Sequence, residues 1–213
     1  MADACLKTHD DLVAAIDYLS RIEPRFGFIA DQVGLPALRP CPLDLRGLLM
    51  IVVEQLISLH AAKSIWLRIE AALGDFSPVT ILRHSETELQ SFGLTRTKAR
   101  SFRVLAEAAQ TGTLDLAGLT LKTNDEVISH LTSHSGIGPW TANVYLLTAL
   151  GRSDSWPAGD VALQAATQQV FQLSTRPNAK EMHALSLPWR PHRMAAALLL
   201  WNHYRASKGI ATA

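Results

Sequence analysis

At 213 residues, 48% hydrophobic and 18% charged, the chain has apolar material for one domain or two packed lobes and too little charge for a disordered polymer. Its longest apolar run, Met194 to Trp201, falls well short of the ~20 residues a bilayer span needs, and no secretory h-region accompanies the N-terminal Asp3, Lys7, Asp10 and Asp11. Cys5 and Cys41 are too few for a disulfide framework, a four-thiolate zinc site or a four-cysteine iron–sulfur cluster, and a net charge of +1 excludes a broadly basic surface, so any nucleic-acid contact has to be local. A reducing, cytoplasmic setting without membrane association is expected.

Apolar spacing is helical nearly throughout, with no run of strands and hairpin turns, so the expected class is all-α. Asp10 or Asp11 is placed to cap a first helix with Leu12, Ile16 and Leu19 on one face. A loop from Gly34 to Pro42 follows. Asp44 then caps a helix read as Leu45 to Leu59, apolar almost all round like a core helix, and a further helix runs from His60 to Leu73 before Gly74. Ser85-Glu86-Thr87-Glu88 and Thr123-Asn124-Asp125-Glu126 are capping boxes. The first opens a short helix ending at Gly93, and the second a helix with Val127, Ile128 and Leu131. Between them, Thr95 precedes a longer helix carrying Phe102, Leu105 and Ala109, closed by Gly112. Pro139 to Leu150, a helix beginning at Asp160 with Leu163, Ala166, Val170 and Phe171, and a last one from about Pro191 to Tyr204 complete the series.

The stretch Leu131 to Ala142 joins two helices through Gly136-Ile137-Gly138. Both glycines can adopt positive φ and admit a second backbone. Pro139 suits a first helical position, where its missing N–H costs nothing. The amides of the helix start and its dipole form a phosphate site that needs little net charge. A Gly-x-Gly turn alone reads first as a plain helical corner, in which glycines only relieve crowding. Twenty-two residues after Gly138, however, comes Trp156-Pro157-Ala158-Gly159-Asp160, an aspartate at another helix start.

Together these segments resemble the helix–hairpin–helix DNA glycosylase superfamily, whose hairpin L-x-x-x-x-G-[IV]-G is followed about twenty residues later by a Gly/Pro-rich loop and an aspartate. Gly136-Ile137-Gly138-x-Trp140-Thr141-Ala142-Asn143 is similar to the alkylated-base branch, of the bacterial 3-methyladenine DNA glycosylase II type. Glu54 to Ser58, Gly93-Leu94 leading into Lys98-Ala99-Arg100, and Pro188 to Arg193 leading to Trp201 add to the likeness, which covers about residues 12–205.

The resemblance implies a two-lobed fold with the active site in the cleft between lobes: 44–152 carrying the hairpin, and 1–43 plus 153–213 carrying the aspartate. The chain is similar to compact members that lack the family's extra N-terminal α/β domain. The resemblance assigns Asp160 as the catalytic carboxylate; read by itself, the residue is a good N-cap worth about 1 kcal/mol. Where the base-excising lyases have a nucleophilic lysine, this chain has Trp140, which implies a monofunctional glycosylase that hydrolyses the N-glycosidic bond of alkylated purines and leaves an abasic site without strand cleavage. Trp140 and Trp201 match base-pocket positions, where aromatic faces attract a cationic base; Trp201 is equally a core aromatic. Gln55 and Leu56 match the positions that probe the DNA, Leu56 as a wedge, although the residues alone read Leu56 as an ordinary core leucine. Glu54 departs from the Gly or Gln usual before that pair, and a carboxylate near DNA is unfavourable unless it turns inward or pairs with a cation.

Carbonyls of Thr132, His134 and Ile137 match a monovalent cation site, Na+ or K+, with no other cofactor required. Lys98 and Arg100 are candidate phosphate contacts or a solvated helix face, and Arg193 a brace for the last helix. The expected partner is double-stranded DNA with damaged bases, met by a monomer. The other readings are a catalytically weak or inactive lesion-binding module and a glycosylase for deaminated or etheno purines.

Overall fold

The computed structural model describes residues 4–210. Among them the chain forms α-helices joined by turns and two short 3-10 segments, and the only β feature is an isolated antiparallel bridge between Cys5 and Arg152. The all-α expectation is met. No helix among the described residues is long and apolar enough to cross a membrane.

The chain separates into two compact units, one made of Cys41–Tyr145 and the other of residues 4–40 and 146–210. The sequence placed the divisions at 44 and 152. The first unit contains α3 (Leu45–Glu54), α4 (Leu59–Leu73), α5 (Pro78–Leu82), α6 (Glu86–Ser91), α7 (Arg96–Gln110), α8 (Asn124–Thr132) and the start of α9 (Pro139–Thr148). Its helix starts are set locally: Asp44, Ser58, Ser77, Ser85, Thr95 and Thr123 each accept the N–H of the third helical residue, closing orphan donors that a helix cannot satisfy itself. Helix α7 packs against α3, α5 and α6 and buries Ala99, Phe102, Leu105 and Ala106. Each large apolar side chain removed from water there contributes roughly 1.5–3 kcal/mol.

The second unit contains α1 (His9–Ile22), α2 (Pro24–Val33), α10 (Val161–Val170), α11 (Ala179–Ser186) and α12 (Arg193–Ser207). Leu12, Ile16 and Leu19 of α1, Leu163 and Ala166 of α10, and Leu199 and Leu200 of α12 share a core with Phe26, Trp156 and Trp189. Trp189 meets Phe26 and Trp156 edge-on, with centroids 5.0 and 5.3 Å away, the offset geometry that aromatic quadrupoles favour.

Several expectations change. The cap of α1 is Thr8, in a capping box where Asp11 is the reciprocal partner rather than the cap. Residues 24–33 form α2, with Pro24 at its tolerant first position. The helix read as Leu45 to Leu59 stops at Glu54, and α4 restarts at Leu59 under a Ser58 cap. Leu56, expected inside a helix, lies in the break with φ +60° and is fully exposed. Asn178 and Glu181 form a further capping box, opening α11.

Candidate DNA interface and catalytic carboxylate

The hairpin belongs to the first unit. Helix α8 ends at Thr132, the chain turns through residues 133–138, and α9 begins at Pro139. Gly136 has φ +94°, and a Cβ there would lie 2.1 Å from the Oγ of Ser101 on α7, so this glycine is required by both conformation and contact. Gly138 differs from expectation: its φ is not positive, and a Cβ would meet nothing within the protein. Ile137 is buried in the core of its unit while its N–H donates to the His134 carbonyl at 3.1 Å. Trp140 is half-buried on the first turn of α9.

The break between α3 and α4 is fastened to this hairpin. The side-chain amide of Gln55 donates to the Gly136 carbonyl at 3.0 Å and to Thr141 Oγ1 at 2.9 Å. Thr141, on α9, is 1% exposed. From α7, Lys98 Nζ donates to the carbonyls of Val53 at 2.8 Å and Gln55 at 2.7 Å, closing the C-terminal end of α3 with a cation as the helix dipole favours. Lys98 is therefore buried, and burial lowers its pKa. The structure corrects its reading as a phosphate contact or solvated side chain. Arg100, in contrast, is exposed. Lys98 and Ser101 lie one turn apart on α7, one against the break between α3 and α4 and the other against the hairpin. Thr141 and Ser101 were not singled out in the sequence; Thr141 stands in the hairpin motif, and Ser101 gave no signal.

Glu54, the last residue of α3, is only partly exposed, and burial pushes its carboxyl up to about 7. It therefore presents less than a full negative charge at neutral pH. Around the turn, the His130 and His134 rings meet edge-on at 5.4 Å, and burial, then the His130 charge, lowers the His134 pKa, leaving that ring neutral at pH 7. No group of three or more His, Cys, Asp or Glu side chains among the described residues is arranged to hold a metal. Thr132 lies in the last turn of α8, where carbonyls lack partners within the helix, so the donor type suits a hard monovalent cation.

Asp160 belongs to the second unit. A tight turn, with Asp160 N–H donating to the Pro157 carbonyl at 2.9 Å, brings it to the N-cap of α10 in extended conformation. Its Oδ1 accepts the Leu163 N–H at 2.7 Å and the Trp201 indole N–H at 3.0 Å. Gln164 Nε2 donates to the Ala158 carbonyl at 3.0 Å, tying the turn to its own helix. Trp201 rides on α12, which packs on α10, and the neighbouring Asn202 donates to the carbonyls of Val33 and Gly34, both at 3.1 Å. Asp160 and Trp201 are both half-buried.

Asp154 has a different role. Arg193 Nε and Arg190 Nε donate to its carboxylate at 2.6 and 2.8 Å, so Arg193 braces the start of α12. Trp66, Trp156 and Trp189 are buried packing residues, and His60 lies on the surface. A carboxylate held by a helix start and an indole donor offers a fixed anion for charge that develops beside it.

A helical chain that turns Gly-x-Gly between two helices and then presents a capped aspartate falls in the class of helix–hairpin–helix DNA-repair proteins. The family described as HhH-GPD superfamily base excision DNA repair protein matches residues 49–191, and the chain belongs to that superfamily. It is 27% identical to the alkylbase DNA glycosidase-like protein mag2 of Schizosaccharomyces pombe over 90% of this chain and 93% of that one. It is 30% identical to the putative DNA-3-methyladenine glycosylase YfjP of Bacillus subtilis over 71% of this chain and 55% of that one. Among solved structures, the Schizosaccharomyces pombe 3-methyladenine DNA glycosylase Mag1, in complex with abasic DNA, superposes with a TM-score of 0.82 and 25% identity, covering 92% of this chain and 97% of that one.

Proposed function

We propose that the protein is a monofunctional DNA glycosylase that hydrolyses the N-glycosidic bond of alkylated purines, of the 3-methyladenine and 7-methylguanine type, in base excision repair. The observation that carries this reading is the Asp160 carboxylate, fixed by the α10 start and the Trp201 indole. As the C1′–N bond breaks, its electron pair leaves with the base and positive charge builds on the sugar. Asp160 stabilises that charge and orients a water, whose oxygen adds to C1′ and whose proton is released. Alkylation at N3 or N7 already makes the purine a good leaving group, so a single carboxylate suffices. With Trp140 where a lyase has its lysine, no amine attacks the sugar and the product is an abasic site.

In the same reading, double-stranded DNA containing the damaged base is gripped by its phosphates at the hairpin, where the open space at Gly138 admits a backbone. Leu56 enters the stack as the nucleotide is extruded. Trp140 presents an aromatic face to the cationic base, and Trp201 borders the pocket through the edge it turns to Asp160. Carbonyls of Thr132, His134 and Ile137 would hold Na+ or K+, which adds positive charge behind the phosphate. The protein acts as a monomer on the DNA of a reducing cytoplasm.

Base release from methylated duplex DNA, measured in single turnover, tests the reading. Wild type is expected to release 3-methyladenine or 7-methylguanine, and Asp160→Asn to be slower by about a hundredfold or more. DNA affinity should be unchanged, since asparagine also serves as an N-cap. A wild-type protein that binds the DNA yet releases no base would leave only a lesion-binding module, and release confined to deaminated or etheno purines would reassign the substrate.

A further inference from the structure

We infer that Gln55 is a positioning residue that latches the Leu56 wedge to the phosphate-gripping hairpin, making the grip on the backbone and the extrusion of the nucleotide one mechanical event. The inference rests on the glycosylase reading and deepens it. A glutamine beside a DNA wedge is readily taken for a DNA contact, but both donor directions of this amide are spent within the protein, on the Gly136 carbonyl and on Thr141 Oγ1. The carbonyl acceptor fixes which end of the amide points inward, because only the NH2 can donate to it.

The segment needs such a fastening. Leu56 stands fully exposed with φ +60°, a conformation disfavoured for a side chain with a Cβ and compensated by no burial. Locally the turn is closed by one long bond, the Ile57 N–H on the Glu54 carbonyl at 3.4 Å. The position of Leu56 is over-determined from both sides. Upstream, Lys98 holds the carbonyls of Val53 and Gln55, and the Gln55 amide holds the hairpin. Downstream, Ser58 caps α4 by accepting the Ala61 N–H at 3.2 Å. The same helix that supplies Lys98 sets Ser101 against Gly136, so hairpin and wedge share one support on α7. A duplex seated on the hairpin therefore meets the leucine at a preset depth, without a separate search by a loose loop.

The test is a double-mutant cycle read by single-turnover base release from methylated DNA and by the fluorescence of 2-aminopurine placed beside the lesion, which reports unstacking. Gln55→Ala and Leu56→Ala are each expected to slow release and unstacking by about tenfold or more, and the double variant to be no slower than the worse single one. Thr141→Val, at a side chain too buried to touch DNA, is expected to reproduce part of the Gln55→Ala loss, about threefold, and Thr141→Ser to restore wild-type rates. DNA affinity on an unmodified duplex should stay within about twofold throughout, because the hairpin itself remains. Multiplying losses in the double variant would make Gln55 an independent DNA contact and overturn the proposal, as would a Thr141→Val protein with wild-type unstacking. Should wild type release no base, the glycosylase reading fails by itself, and the fluorescence cycle still decides for or against the latch.

Discussion

The two functional segments are held in opposite ways. Asp160 sits in a turn that its own neighbours build: Pro157 accepts its N–H, Leu163 donates to its carboxylate, and Gln164 returns to Ala158. One distant group, the Trp201 indole, adds to them. The break between α3 and α4 has weaker local support: the Ile57 N–H reaches the Glu54 carbonyl at 3.4 Å, and Ser58 caps the next helix. Its shorter contacts come from Lys98 on α7 and from the hairpin, 43 and 81 residues away in sequence, and it carries an exposed leucine in a left-handed conformation. In the proposed roles, a reacting group gains from being rigid at low cost, whereas a leucine that displaces a base is kept out in solvent with help from distant groups. Variants on each segment should therefore separate: those beside Asp160 should alter rate with little change in stability, and loss of the Leu56 side chain should alter both, in opposite directions.

The largest effect on stability is expected at Glu54. Its folded-state carboxyl is raised from 4.5 to about 7 by burial, so the fold binds a proton more tightly than the unfolded chain does. The sign follows: stability is greatest below about 4.5, declines as pH rises towards about 7, and is level above that. Glu54→Gln removes the penalty of an ionised carboxylate at the wedge. It should stabilise the fold by about 2 kcal/mol at pH 8, after allowance for partial exposure, and by almost nothing at pH 4.5. Urea titrations of both proteins at the two pH values measure this. A gain of equal size at both would show that charge is not the cause.

On the other segment, Trp201→Phe keeps an aromatic ring and deletes the indole N–H that reaches Asp160 Oδ1. Single-turnover base release should fall about tenfold, equivalent to ~1.4 kcal/mol, while the melting temperature stays within about 2 °C. In an Asp160→Asn background the same substitution should have no further effect on rate, since the anion it serves is gone. An equal tenfold loss in that background would make the tryptophan a base-pocket wall alone, and the local turn would then hold Asp160 unaided.

The same contrast governs what could be read beforehand. Helix starts at Asp44, Ser85, Thr95, Thr123 and Asp160 were legible because a cap is a short-range hydrogen bond written in adjacent residues. Helix α2 was not, since Pro24 and Gly27 look like breakers although Pro24 occupies the one turn that tolerates it. The break at residues 55–58 was invisible because Val-Val-Glu-Gln-Leu-Ile-Ser-Leu keeps an apolar helical rhythm; a lysine from another helix, taking two carbonyls, ends α3 there. For the same reason Lys98 looked like a surface cation. Asp160 and Trp201 were singled out through the family resemblance, but their mutual hydrogen bond spans 41 residues and no local pattern encodes it.

The smallest expected effect bears most directly on the wedge. Leu56 buries none of its side chain and sits at φ +60°, so glycine should relieve a strain of roughly 1–2 kcal/mol. Glycine also enlarges the entropy of the unfolded chain, which offsets much of that relief. A net gain of about 0.5 kcal/mol remains, or 1–2 °C in melting temperature. Leu56→Gly should thus be slightly more stable than wild type and yet slower in base release by about tenfold or more, having lost the group that fills the gap. Calorimetry and single-turnover kinetics on one preparation measure both quantities. A less stable Leu56→Gly protein would mean that the exposed leucine is in its preferred state, and the fastening by Gln55 and Lys98 would then restrain nothing that needs restraint.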